Sequence, residues 1–268
     1  MRLDLVSVPL AGLRALSKPA GFALVLTATL LTAAGAYLVW MDWGMRNMDQ
    51  AADMLLMPRM VTWGAADLAL VFLMWALMMI AMMAPSAYPT TKLVGRFVEA
   101  ARGKAAARRG VTALLAGYLL AWVAFSVSAT LLHWGLLSAA LVSPMMASSA
   151  PALSALILIA AGAYQFAPLK HACLRRCQSP LWLIMQCSGW RALDALREGL
   201  RLGTFCVGCC WALMAVLFVT GVMNMFWVVL LAIYVLVEKS TPRQTWIPRA
   251  AGVCLMTWGG WLLLGVVR

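Results

Sequence analysis

Sulfur is the reactive element of this sequence: 19 Met and seven Cys stand in a 268-residue chain with two His and nine Asp or Glu. Cys206 and Cys210 are one helical turn apart, Met214 continues the same stripe, and Cys209 flanks it. Cys173 and Cys177 repeat that spacing, with Lys170, Arg175 and Arg176 nearby to favour thiolate. His171 lies about 200° around a helix from Cys173, so it joins the thiols only through an irregular turn; otherwise it is an interface residue bonded to backbone. Met78 with Met82, and Met79 with Met83, are further pairs one turn apart. Thiolates and thioethers with little His point to copper(I) as the ion held, ahead of zinc, and away from Mg²⁺, Ca²⁺ or Mn²⁺. Each group also has a packing reading, because Met fills irregular apolar gaps and free Cys behaves as a small hydrophobe.

The elements that must position these residues are apolar blocks. Hydrophobic residues make up 64% of the chain and charged ones 11%, a composition that a soluble fold of this size does not solvate. Seven segments read as membrane helices: 20–40, 65–84, 111–132, 152–166, 203–220, 224–237 and 251–267. The fourth and sixth are short, and a tilted or re-entrant course stays open for both. The expected fold is an all-α, polytopic transmembrane bundle, formed by 20–268 as one domain behind an interfacial amphipathic leader, 1–19. The leader and first segment are too long for a signal peptide and read as a retained anchor. A second amphipathic stretch, 191–202, is expected to lie along the same interface.

Charge placement tests the count. All but Arg46, Arg59 and Arg268 of the 21 Lys and Arg fall in the leader and in alternate connections, led by Lys92–Arg109 and Lys170–Arg201. Those stretches are cytoplasmic by the positive-inside rule, which puts the N-terminus inside and the C-terminus in the periplasm. The net charge of +12 is then a topology signal with an attraction to anionic lipid, not a nucleic-acid footprint.

Topology sorts the sulfur. All seven Cys fall toward the cytoplasm, where thiols stay reduced and a disulfide framework is not expected. Met41, Met45, Met48, Met54, Met57 and Met60 fill the first outer connection, joined outside by Met145, Met146, Met223 and Met225. Met74, Met78, Met79, Met82 and Met83 run inward along the second segment. Thioethers survive an oxidising exterior as ligands, and thiolates suit the interior.

The run from Trp75 to Pro85, the stretch from Tyr164 to Cys177 with Ser179 and Pro180, and the block from Gly208 to Met214 with Gly221–Asn224 and Glu238-Lys239 resemble a bacterial family described as predicted metal-binding integral membrane proteins. That resemblance spans most of 65–267 and implies that Met78, Met79, Met82, Met83, Cys173, Cys177, Cys209 and Cys210 belong to a shared pattern. It places the chain in the bacterial inner membrane.

The leading functional reading is a soft-metal protein for uptake, transfer or delivery of copper(I). It would capture the ion at outer Met residues and pass it along Met78 and Met82 to inner Cys ligands, with the bilayer, the metal ion and a metallochaperone or membrane-complex partner as its associates. The chain lacks a phosphate-binding loop or phosphorylated-Asp motif for an autonomous pump. The alternative is a structural or assembly subunit whose Met and Cys are packing. A membrane metalloenzyme or redox protein is a third reading. His133, His171, Asp67 and Glu238 are the few acid–base groups near the segments, and helix-start capping accounts for Asp67.

Overall fold

The computed structural model describes Thr32, Gly35, Ala36, Val39 and residues 63–139, 141, 150–179, 191–222, 224–241 and 246–267. The leader, the six methionines of 41–60, Met145, Met146, Met223 and Cys187 lie outside the described residues; the four from the first expected segment are helical.

Helix α1 (Ala65–Arg102) and helix α2 (Lys104–Ser138) form a long hairpin with Gly103 alone between them. Gly103 has φ 84° and ψ 171°, a conformation open almost only to glycine, and its N–H closes α1 on the Glu99 carbonyl at 2.8 Å. The segment expected to stop at residue 84 continues through Pro85 and Pro89. Each proline removes one helical bond. Hydroxyls bind neighbouring carbonyls one turn back, Ser86 on Met83 at 2.8 Å and Thr91 on Tyr88 at 3.0 Å. Basic residues expected in a connecting loop, from Lys92 to Arg109, therefore sit on the two helices themselves. At the start of α1, Asp67 accepts from the Gly64 N–H at 2.9 Å, which is the capping role.

Beyond the hairpin come α3 (Pro151–Tyr164) and α4 (Pro168–Cys177), bent by 64° at the break between them, with Pro168 opening the second. Then follow α5 (Ala192–Ala215), its short continuation α6 (Leu217–Thr220), α7 (Met225–Ser240) and α8 (Trp246–Val267). Gly221, at φ 89°, stops α6, and the Asn224 side chain caps α7 by accepting from the Phe226 N–H at 3.2 Å. No strand occurs among the described residues.

Among the described residues four helical stretches are long and apolar enough to cross a membrane, Ala65–Arg102, Lys104–Ser138, Ala192–Thr220 and Trp246–Gly265, and the bent α3–α4 pair makes a fifth if it is one span. Of the seven expected segments the first lies almost wholly outside the described residues; the second, third, fifth and seventh fall in these four stretches, the fourth in the bent pair, and the sixth is α7. Helix α7 has 16 residues, about 24 Å at 1.5 Å each, short of a hydrocarbon core of roughly 30 Å. The stretch 191–202 is not a separate surface helix. It is the first half of α5 and buries Ala195, Gly199 and Leu202, leaving Leu193 and Leu200 exposed.

Helix α5 packs most extensively on α2, which also packs on α1; α4 rests on α5, α7 on α1, and α8 on α3. Glycines set the α2–α5 distance. Gly117 faces the Leu196 carbonyl and the Leu200 nitrogen, Gly199 faces the Leu114 carbonyl, and a Cβ on Gly203 would come within 2.7 Å of the Tyr118 carbonyl. Gly199 and Gly203, four residues apart, form the small-residue stripe that lets two helix backbones touch.

Replacing Gly199 with Ala is expected to lower stability by about 1–3 kcal/mol, the range for overpacking. Gly135→Ala, at a helical position with open space around it, should be neutral or stabilising. Thermal unfolding of the two purified variants checks the contrast.

Candidate metal centre

The cysteines of α4 and α5 meet in one cluster. Cys206, Cys209 and Cys210 are buried in the main core, where α5 faces α1, α2 and α4. The Cys209 and Cys210 thiols donate to the Cys206 carbonyl at 3.1 and 2.8 Å, so both turn back toward Cys206 along the same helix. From α4, the half-buried Cys173 and Cys177 pack against the core that contains Cys206, Cys209 and Cys210. Cys173 sits over Gly208, where a Cβ would come within 2.9 Å of its Sγ. The Tyr164 hydroxyl donates to the Gly208 carbonyl and fixes that stretch of α5 against α3. Two cysteine blocks about 30 residues apart in sequence are therefore brought together in one core.

A polar network backs the cluster. The Lys239 ammonium, from the end of α7, stands 2.7 Å from Cys206 Sγ, 3.1 Å from Ser86 Oγ and 3.9 Å from Met83 Sδ. Lysine offers donors only, so the Cys206 sulfur is the acceptor in that contact. The Tyr118 hydroxyl lies 2.9 Å from the same sulfur and 3.2 Å from Ser86 Oγ. Four helices, α1, α2, α5 and α7, thereby converge on Cys206.

The remaining expected residues divide. Met83 is in the network, and Met78, Met79, Met82 and Met214 are buried in the same apolar core. Helix α4 is regular from Pro168 to Cys177, so His171 keeps its position about 200° from Cys173 and does not turn toward it. Cys254 is exposed on α8. Among the described residues no set of three or more His, Cys, Asp or Glu side chains is arranged to hold a metal ion. What the core does gather is sulfur: three thiols of α5, two of α4 packed on the same core, and the Met83 thioether in the Lys239 network. That is soft-ligand chemistry.

Over residues 72–262 the sequence matches the PpoB2 family, described as copper chaperones. The chain belongs to the PpoB2 copper chaperone family. The match covers every cysteine and methionine of the cluster and each of the blocks that resemble a metal-binding family, so the metal-related expectation holds. No curated protein and no solved structure matches the chain.

Three features of this family member were not read as part of a site from the sequence. Lys239 looked like one more positive-inside charge, and Tyr118 and Ser86 carried no pattern; they reach Cys206 across 33, 88 and, through Lys239, 153 residues of chain. The signal that was available is the position of Glu238-Lys239, two charges directly after an unbroken apolar run. Glu238 is itself buried, 2.8 Å from Lys170 of α4, and it accepts from Tyr234 at 3.3 Å; Gln178 donates to its carbonyl at 2.9 Å. The third is His133, fully buried among Trp63, Trp75 and Phe218, where Nδ1 accepts from the Trp75 indole at 3.4 Å and Nε2 has no partner among the described residues. With Nδ1 accepting, Nε2 carries the proton of a neutral ring and is a donor, not a metal-ready lone pair.

Glu238→Gln leaves the Lys170 ammonium buried without its charge partner, and should destabilise the protein by about 3–5 kcal/mol. Replacing both Lys170 and Glu238 with Met should recover most of the loss. A denaturation series on the two single variants and the double checks this.

Proposed function

We propose that the protein is an integral membrane carrier of copper(I), which receives the ion at methionine sulfur and holds it at the Cys177–Cys206–Cys209–Cys210 cluster for delivery. The observation that carries the reading is the packing of Cys177 against the core that holds Cys206, Cys209, Cys210 and Met83, in a member of a copper chaperone family. Thiols gathered in one core can turn from the Cys206 carbonyl toward a shared soft monovalent ion.

Membrane insertion is supported by the inversion of the fold. Its outward face carries Leu120, Leu131, Leu132, Leu156, Ile233 and Trp261, while Ser126, Thr130, His133, Gln165, Lys170 and Glu238 are interior. A contiguous apolar exterior of that extent is foreign to a soluble monomer and native to a bilayer. With the basic residues cytoplasmic, the thiol cluster lies toward the inner side of a bacterial inner membrane and the start of α1 toward the outer side. Met74, Met78 and Met82 then form a one-turn-spaced line on α1, and the rise from Met74 to Met83 is about 14 Å, half the bilayer core. Hand-over between soft donors along such a line requires no nucleotide. Zinc would compete at the thiols, with thioethers giving copper(I) the advantage.

Protein purified in detergent under reductant is expected to retain stoichiometric copper by elemental analysis. Cys206→Ser should weaken copper(I) binding at least about tenfold, or 1.4 kcal/mol, and replacing Cys206, Cys209 and Cys210 together should abolish retention. Met256→Leu, a volume-conserving change on α8 outside the methionine line of α1, should leave it intact. A metal-free wild type, or full retention without those three cysteines, overturns the reading.

A further inference from the structure

Lys239 is set where a cargo ion would be. Its ammonium lies between a thioether of α1 and a thiol of α5, 3.9 Å from Met83 Sδ and 2.7 Å from Cys206 Sγ, and Ser86 Oγ at 3.1 Å completes its donor contacts. The carboxylate next to it in sequence is committed elsewhere, since Glu238 is paired with Lys170. The two sulfur atoms that accept the ammonium are the same kind of donor a soft metal uses, and the ammonium carries the same single positive charge as copper(I).

We propose that Lys239 is a tethered competitor for the metal: its ammonium holds the Cys206–Met83 position in the empty protein, must swing aside for copper(I) to bind, and drives release by returning. Resting on the copper reading above, this assigns the residue that sets how tightly the site holds its cargo. The exchange is balanced in charge. With Cys206 as the thiolate, one monovalent cation replaces another at its sulfur and no bond to hydrogen is made or broken at Lys239; any other thiol that joins the ion gives its proton to water, and no electron moves. Two unit positive charges a few ångströms apart in a buried site repel strongly, so they cannot share the position. Metal and ammonium therefore alternate. Ser86 and the end of α7 keep the displaced side chain within reach, so its effective concentration at the sulfur stays high and release needs no outside cation.

A counter-ion kept only for structure predicts the opposite outcome from a competitor. Without the ammonium, a structural role leaves the cluster disordered and the metal more weakly held; a competitive role leaves the metal more tightly held. The experiment loads wild type, Lys239→Gln and Lys239→Arg with copper(I) under reductant and follows transfer to bicinchoninate. Lys239→Gln is expected to release copper at least about tenfold more slowly than wild type, with Lys239→Arg close to wild type. Release from Lys239→Gln at the wild-type rate or faster, while both bind copper, overturns the inference and leaves the copper reading standing. Failure of wild type to bind copper overturns both. A second measurement needs no variant. Acylation of Lys239 in the wild-type protein, followed by mass spectrometry, should accelerate at least about tenfold when silver(I) is added, because the metal evicts the amine from the sulfur; an unchanged or slower reaction also overturns the inference.

Discussion

Where α2 crosses α5, no side chain separates the two backbones. Gly117 lies on the turn from Leu196 to Leu200, Gly199 on Leu114, and Gly203 on Tyr118. Helices held this close gain dispersion contacts along their length, and the gain depends on the absence of a Cβ at each of the three positions. The same contact decides the chemistry. One helical turn beyond Gly203, α5 presents Cys206, and Tyr118 is the residue of α2 whose backbone Gly203 touches. The hydroxyl reaches the sulfur at 2.9 Å because the main chains beneath them cannot move apart.

Charge is distributed at the end of α7 with equal economy. Glu238 and Lys239 are neighbours in sequence, about 100° apart around the helix, and so face different elements. Glu238 turns to α4 and Lys170, whereas Lys239 turns to α1 and α5. Burying an ion is costly unless a partner is present, and each of these ions has one in a different helix. The pair therefore joins α4, which carries Cys173 and Cys177, to the helices that carry Met83 and Cys206. A helix too short to be a secure membrane span is thereby fixed by its polar end.

Local pattern made much of this legible. Apolar blocks located the helices, and one-turn spacing put Cys206, Cys210 and Met214 on one stripe and Cys173 with Cys177 on another. What pattern did not supply was any relation between those stripes, since it depends on which helix faces which. Lys239 and Tyr118 belong to the site only through contacts spanning 33 and 88 residues. Pro85 misled for a different reason: proline ends a helix in an average environment, and here nearby hydroxyls and tight packing carry the helix past it. The stretch from Arg191 to Leu202 misled because its leucines, not its small residues, looked like the buried face; Ala195, Gly199 and Leu202 are what α2 covers.

The turn at Gly103 has a mechanical meaning. Helices α1 and α2, 38 and 35 residues long, are rods of about 57 and 52 Å joined by one residue. There is no slack between them, so neither can slide or twist without carrying the other. Met83 and Ser86 on the first rod and Tyr118 on the second are thus a single rigid jaw. Helix α5 is locked to the second rod at its glycines, so the end of α7, which reaches this jaw through the Lys239 side chain, is the element whose position sets how open the surroundings of Cys206 are.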